Sequence, residues 1–416
     1  MRDFYPEDMA VRNALFDAWR TAAVRFGFVQ YDACVVETLD LLKRKAGEEI
    51  VEQIYFFTDK SNRELALRPE MTPTLARMVA ARQGALAFPL KWFAIAQCFR
   101  YERMTRGRKR EHYQWNLDIV GEDSVSAEAE VLATAVQALS LLGMKQGDYF
   151  IHFSSRALLT DLLLKLGIQR PYHPPTFLAL DKRGKITDDE IHKMLHEAGL
   201  DADSIKAVFS LLSLSTLDDA ARMFDSPPPS LNSLTQLLNI LEAHGIRDYL
   251  KFDISVVRGL SYYTGVVFEA FDANRKFRAI FGGGRYDNLL NDIGGTPATA
   301  VGLGFGDVVV TELLQDLGRL NAQRVVTHGT AIGYMEEAQR ATAVSIAAAL
   351  RKSGTAVDLG LRPERAKAFF ARAGKSNQNA IYIGPDDIGK GSVRVKDLMT
   401  RAEKEVPIRE LTAPQA

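Results

Sequence analysis

From Glu7 to Phe26 apolar residues recur at helical spacing (Leu15, Phe16, Trp19, Ala22, Ala23, Phe26), and Gly27 follows where a helix C-cap belongs. The pattern predicts an opening amphipathic helix. Between 51 and 68 the period changes to two: Ile54, Phe56 and Thr58, then Leu65 and Leu67, flank Asp59-Lys60-Ser61-Asn62, which predicts a β-hairpin. β-rich runs at 91–101 and 112–120 form a second pair around the polar segment 102–111. A helix is predicted over Ser126–Leu142, with Val131, Leu132, Val136 and Leu139 on one face, and a strand over 149–154.

The stretch from 156 to 248 reads as helical, without a β-rich run, and is punctuated by Tyr172-His173-Pro174-Pro175 and Ser226-Pro227-Pro228-Pro229-Ser230. It looks like an insertion carried on the main domain. Strand patterns resume at 252–257, 264–272 and 276–281, followed by glycine-rich runs at 282–284 and 302–306 and a helix ending near Leu320. Strands interrupted by long excursions and then resumed predict a large antiparallel sheet with helices packed on it, an α+β design. Beyond Gly329 the order is strand (331–334), helix (336–353), strand (356–359), helix (362–373), then strands at 380–383 and 392–395. That alternation predicts a small α/β domain with a largely parallel sheet. The expected domains are 1–322, carrying the insertion at about 156–248, and 328–416.

Charge changes the picture only locally. The 416 residues hold 52 Lys+Arg against 52 Asp+Glu, a formal net charge of zero. That average does not exclude a nucleic-acid partner, because phosphates are bound by a local basic patch. Two cysteines, Cys34 and Cys98, are too few for a disulfide framework and fit a reducing compartment. The first residues contain no apolar run of the signal-peptide kind, and no stretch approaches the ~20 apolar residues that span a bilayer. A cytoplasmic protein without a membrane partner is expected. His192 and His196 stand at i, i+4 with nothing to supply a third ligand, so no metal site from protein side chains is expected.

The densest polar constellation is Phe99 to Gln114, where Arg100, Arg103, Arg106, Arg108, Lys109 and Arg110 face only Glu102 and Glu111. Guanidinium groups at this density, bracketed by aromatic residues and flanked by two strands, suit bidentate phosphate binding better than a solvated loop does. A second constellation, Arg258-Gly259-Leu260-Ser261-Tyr262-Tyr263-Thr264-Gly265, precedes a β-rich run. A third is Gly282-Gly283-Gly284-Arg285-Tyr286-Asp287, which sets closely approachable backbone beside a Tyr and an Asp. A fourth is Leu67-Arg68-Pro69-Glu70-Met71-Thr72.

In this order the four resemble the histidyl-tRNA synthetase family of class II aminoacyl-tRNA synthetases, over nearly the whole chain. Arg100–Gln114 resembles motif 2, Arg258–Glu269 and Gly283–Leu289 the two histidine signatures, and the C-terminal segment the anticodon-binding domain. The resemblance implies a six-stranded antiparallel catalytic sheet, a homodimer, and ligase activity on L-histidine, ATP (accompanied by Mg2+) and tRNA-His. The catalytic residues it implies are Arg258 and Arg100. It places ATP on Arg100, Glu102, Arg108, Arg110 and His112, and histidine on Glu70, Thr72, Arg100, Gln114, Asp118, Arg258, Tyr262, Tyr263 and Tyr286. A polar pocket around an imidazole can reject apolar isosteres by ~10⁴-fold.

The chain departs from the family pattern at several positions. Val309 stands where motif 3 carries an arginine, a loss of ~2 to 4 kcal/mol of transition-state binding unless another cation compensates. Ser261, Cys34 and Thr105 replace a usual Asp, Pro and Gln. The alternative that the loss of the motif 3 arginine favours is a non-catalytic paralogue, the regulatory subunit of ATP phosphoribosyltransferase in histidine biosynthesis.

Overall fold

A computed structural model describes residues 1–44, 51–183, 186–257, 262–320 and 327–412. The opening helix spans Pro6–Arg25 and buries Leu15, Trp19, Ala22 and Ala23. The Trp19 ring lies 6.0 Å from that of Trp115 and 5.2 Å from that of Phe305, so the helical stripe seats on a sheet. The strands that follow are β1 (Val29–Gln30), β2 (Val36–Thr38), β3 (Phe56–Thr58), β4 (Glu64–Leu67), β5 (Leu90–Phe99), β6 (Glu111–Val120), β7 (Tyr149–Ser155), β8 (Leu250–Phe252), β9 (Val266–Asp272), β10 (Phe281–Arg285) and β11 (Ala300–Gly306).

Eight of them make one sheet in the order β1-β5-β6-β11-β10-β9-β7-β8, and β2-β4-β3 make a small second one. The six inner strands of the large sheet pair antiparallel throughout, and only the short edge strands β1 and β8 pair parallel. The six-stranded antiparallel core that the resemblance implies is therefore present, extended by one strand at each edge. Because side chains alternate across a pleated sheet, one face carries Phe93, Trp115, Leu117 and Phe305 into the main core. The helix Ser126–Leu141 covers that face with Val131, Leu132, Ala135 and Leu139, all buried.

The segment after β7 is helical, as expected: Arg156–Lys165, His173–Asp181, Asp188–Glu197, Ala202–Leu211, Leu217–Ala221 and Pro229–Ala243. Its buried Leu162, Ile191, Leu195, Val208 and Leu234 are continuous with the core beneath the sheet.

Several expectations shift. The hairpin is confined to β3 and β4, while Val51 and Glu52 are helical. Asp59 Oδ1 closes its turn by accepting from the amides of Ser61 (2.8 Å) and Arg63 (2.9 Å). The run at 252–257 is a strand only to Phe252. Asp253 then turns the chain by accepting from the amide and hydroxyl of Ser255 at 3.1 and 2.6 Å. The glycine-rich runs at 282–284 and 302–306, to which the pattern assigns no element, lie in strands β10 and β11.

The chain divides into two compact units, residues 1–3 with 12–320 and residues 4–11 with 321–416. The second contains β12 (Thr327–Tyr334), β13 (Val357–Leu359), β14 (Asn377–Ile383), β15 (Ser392–Asp397) and β16 (Glu403–Pro407), in the order β13-β12-β14-β15-β16. Only β13-β12-β14 is parallel; β15 and the unanticipated β16 pair antiparallel, so the sheet is mixed. The helix expected from 362 starts at Ala366, because Pro363 biases the residue before it away from helical geometry.

Candidate active site

The face of the large sheet opposite the core is built from small residues around one polar row. Pleating places His112, Gln114, Asn116 and Asp118 of β6 on this face. Their cross-strand partners are Cys98, Ala96, Ala94 and Trp92 on β5, and Gly306, Gly304 and Gly302 on β11 against Gln114, Asn116 and Asp118. A Cβ on Gly302 would lie 2.0 Å from Asp118 Oδ1, and one on Gly304 2.6 Å from Gln114 Nε2. Glycine in these strand interiors is therefore required by close approach, since two polar side chains of β6 lie across β11.

Over this floor the tyrosines converge. The rings of Tyr262 and Tyr263 are 4.9 Å apart, and those of Tyr262 and Tyr286 5.9 Å; all three residues are buried. Tyr286 donates to Asp118 Oδ1 at 2.6 Å, and Tyr262 donates to Glu70 Oε2 at 3.2 Å. Asp118 Oδ2 is buried with no partner among the described residues. Burial pushes the Asp118 carboxyl up to about 7; the Tyr286 hydrogen bond opposes this and the Glu70 charge adds to it. Thr72 opens the helix Thr72–Arg82 and is buried, as is Glu70. Gln114 donates to Asn116 Oδ1 at 3.1 Å, which fixes the amide orientation along the polar row.

The signature residues around the tyrosines are structural. Arg285 is buried and forms a two-pronged ion pair with the fully buried Glu128 at 2.6 Å for each contact, and it also donates to the carbonyls of Glu122 and Ser124 at 3.0 Å. Removing one partner of such a pair typically costs ~3–5 kcal/mol, so Arg285 rivets β10 to the helix behind the sheet. Asp287 accepts from the Thr264 hydroxyl at 3.0 Å, joining the two tyrosine segments. Tyr286 alone of Arg285-Tyr286-Asp287 reaches the polar row.

The basic loop enters at the other end of that row. Arg100 Nε donates to Pro69 O at 3.0 Å, and its amide donates to Arg110 O at 3.0 Å, which closes the loop's base. Arg108 pairs with Glu102 at 2.8 Å, and Arg110 lies over the Tyr101 ring at 4.5 Å while donating to Glu102 O at 3.3 Å. Burial, then the Arg100 charge, lowers the His112 pKa to about 3, so its ring is neutral and can stack as an apolar plate. The loop tip rests on the helix Asp307–Asp316: the Gly107 amide donates to Glu312 Oε1 at 3.2 Å, and Arg106 lies 3.7 Å from both Glu312 and Asp316. Val309 is buried on that helix. Its Cγ2 is 3.4 Å from where a Gly107 Cβ would stand.

Glu70, Thr72, Arg100, Glu102, Arg108, Arg110, His112, Gln114, Asp118, Tyr262, Tyr263 and Tyr286 thus lie on or beside one face of the sheet. Arg258 and Ser261 lie outside the described residues. Two pocket residues escaped the sequence reading. Asn116 sits between Gln114 and Asp118 at period two, so strand alternation alone could have found it; Tyr31, just past β1, carries no sequence signal. Among the described residues no group of three or more His, Cys, Asp and Glu could hold a metal ion, and no helix is long and apolar enough to cross a membrane. In the second unit Arg351, Lys352, Arg362, Arg365, Lys367, Arg372 and Lys375 are exposed. Arg372 is paired with Asp358 (2.8 Å) and Glu364 (2.6 Å).

Comparison with known proteins gives a family match and close relatives. Residues 1–306 match the histidyl-tRNA synthetase family model, and residues 325–413 match the anticodon binding domain model. The chain is 43% identical to the chloroplastic/mitochondrial histidine–tRNA ligase of Arabidopsis thaliana, over 99% of this chain and 84% of that one. It is 40% identical to the histidine–tRNA ligase of Opitutus terrae, over 99% and 96%. In fold it is similar to the crystal structure of histidyl-tRNA synthetase from Nostoc sp., with a TM-score of 0.82 at 21% identity, over 99% of this chain and 96% of that one.

Proposed function

This chain belongs to the histidyl-tRNA synthetase family, and we propose that it activates L-histidine with ATP to histidyl-adenylate and transfers the histidyl group to tRNA-His. The observation that carries this reading is the buried Asp118 carboxylate, with one oxygen held by Tyr286 and the other without a partner among the described residues, set among buried tyrosines at one end of the β6 polar row whose other end meets the basic loop. A buried carboxylate with an open acceptor suits a ring N–H, and an imidazole provides one.

Glu70 and Thr72 sit where the α-ammonium of histidine would lie, and Gln114 beside its carboxylate. The carboxylate attacks the α-phosphate, an anion meeting a polyanion, so preorganised guanidinium groups must screen the charge as it shifts. Arg100 is the proposed α-phosphate ligand, with Arg258 proposed from the family resemblance as a second α-phosphate cation and Arg108 and Arg110 toward the outer phosphates. ATP, as its magnesium complex, is a substrate here. Neutral His112 stacks on adenine, and Glu102 accepts from the adenine amino group, which requires Arg108 to exchange its Glu102 partner for phosphate. Val309 supplies no cation, so the loop arginines and Arg258 carry the phosphate charge.

The proposed assembly is a homodimer acting in the cytoplasm, with residues 1–322 as catalytic domain and 328–416 as anticodon-binding domain. Histidine-dependent ATP–pyrophosphate exchange, followed by charging of tRNA-His, tests the proposal. Exchange with histidine and with no other amino acid supports it; histidine binding without exchange would refute it and point to the regulatory paralogue.

A further inference from the structure

Besides Asp118 Oδ2, one further polar atom in this pocket is buried without a partner among the described residues: the hydroxyl of Tyr31. Tyr31 follows β1, with its amide donating to Phe93 O. Its ring centroid is 5.6 Å from that of Trp92, and Trp92 is the cross-strand partner of Asp118. The residue packs against the cluster of Met71, Ala94, Ala96 and Cys98 and against the cluster that contains Tyr262, Tyr263 and Tyr286. The Asp118 charge also acts on the Tyr31 hydroxyl. After burial, the Asp118 charge is the largest influence raising the Tyr31 pKa, which keeps the hydroxyl protonated as a donor.

A donor and an acceptor left unpaired in one buried place carry their full desolvation penalty unless a ligand meets both. A neutral imidazole offers one N–H donor and one bare nitrogen on the same ring. We infer that Tyr31 is a second reader of the histidine side chain: Asp118 Oδ2 accepts from the ring N–H while the Tyr31 hydroxyl donates to the bare nitrogen. The inference rests on the histidine pocket proposed above. It makes Tyr31 a specificity determinant, because a ring lacking either nitrogen strands one of the two groups.

The test is Tyr31→Phe in the full chain, with exchange kinetics and calorimetric binding for histidine and for 3-(2-thienyl)alanine, whose ring is apolar and of similar size. The substitution should raise KM for histidine by ~10- to 100-fold and leave KM for ATP unchanged. Discrimination against thienylalanine should narrow, because the group that penalises an apolar ring is gone. A parallel loss for both amino acids, or unchanged discrimination, would overturn the inference and leave Tyr31 as packing. Should the variant not fold, the unaltered protein decides through its affinity for Nδ1-methyl- and Nε2-methylhistidine. Both should bind far more weakly than histidine; if either binds equally well, one ring nitrogen is unread and the inference fails. Absence of histidine binding to the unaltered protein is a separate result, and it would remove the pocket assignment itself.

Discussion

Replacing Asp118 by Asn should stabilise the protein while disabling it. The Asp118 carboxyl is raised to about 7, by burial first, against an ordinary unfolded value of about 3.9. A folded-state pKa above the unfolded one contributes stability that is complete below pH ~4 and is lost as pH rises through ~7. Three units at 1.36 kcal/mol each come to about 4 kcal/mol, with no further loss at higher pH. Asn keeps the acceptor that Tyr286 uses and carries no charge to desolvate. Asp118→Asn should therefore match the wild type near pH 4 and exceed it by about 4 kcal/mol at pH 8. The measurement is urea unfolding of both proteins between pH 4 and 8, taking the difference so that other titrating groups cancel. With its oxygen held by Tyr286, the amide presents an NH2 where Oδ2 stood, donor against the ring N–H. Histidine-dependent exchange should fall by ~100-fold or more. Parallel stability curves, or equal stability at pH 8, would refute the account of Asp118 as a strained, functionally retained charge.

The floor of the pocket gives a sharper steric test. Gly302→Ala places a methyl group 2.0 Å from Asp118 Oδ1, so histidine affinity should drop at least ~10-fold while ATP affinity holds; calorimetry with each ligand separates the two, and equal histidine affinity would show that Asp118 does not need that space. Gly107 has φ +74°, so Gly107→Ala should strain the loop tip by ~1–2 kcal/mol and raise KM for ATP several-fold without changing histidine binding. With a pKa of about 3, His112 should show no titration by NMR between pH 5 and 8; a midpoint near 6.5 would contradict its burial against Arg100. Arg258→Ala should abolish exchange with the circular dichroism spectrum unchanged, and normal kinetics would show that the reactive centre is misassigned.

What could be read from the sequence follows from which forces act locally. Hydrophobic period found the opening helix and strands β5 and β6 to within one or two residues, because each buries one regular face. The polar row His112, Gln114, Asp118 was legible through motif spacing, and Asn116 should have been, since alternation leaves it no other face. The glycine runs are not assigned to strands by pattern, because intrinsic preference disfavours glycine there, and here a tertiary requirement wins: the side chains of Asp118 and Gln114 occupy the space that a Cβ would take on Gly302 and Gly304. Nothing local marks Tyr31. It follows a two-residue strand, and its place is set by pairing with β5, whose partner β6 carries Asp118.

Val309 shows the same division between local and tertiary causes. By sequence it is a missing cation, but in the structure it lies on a helix whose exposed turn is already engaged. Gly107 sits over Val309, its amide is held by Glu312, and Arg106 reaches Glu312 and Asp316 while its guanidinium covers Phe277 at 4.5 Å. A long charged side chain at 309 would occupy the space where the loop tip packs. The helix thus acts on the basic loop as a support. It holds the loop tip through the Gly107 amide on Glu312 and the Arg106 contacts to Glu312 and Asp316. Two of the loop cations are balanced by carboxylates of the same unit, Arg108 by Glu102 and Arg106 by Glu312 with Asp316. On the proposed reading, ATP binding exchanges the Arg108–Glu102 pair for phosphate, so affinity would be set by the partner displaced as much as by the arginine that binds.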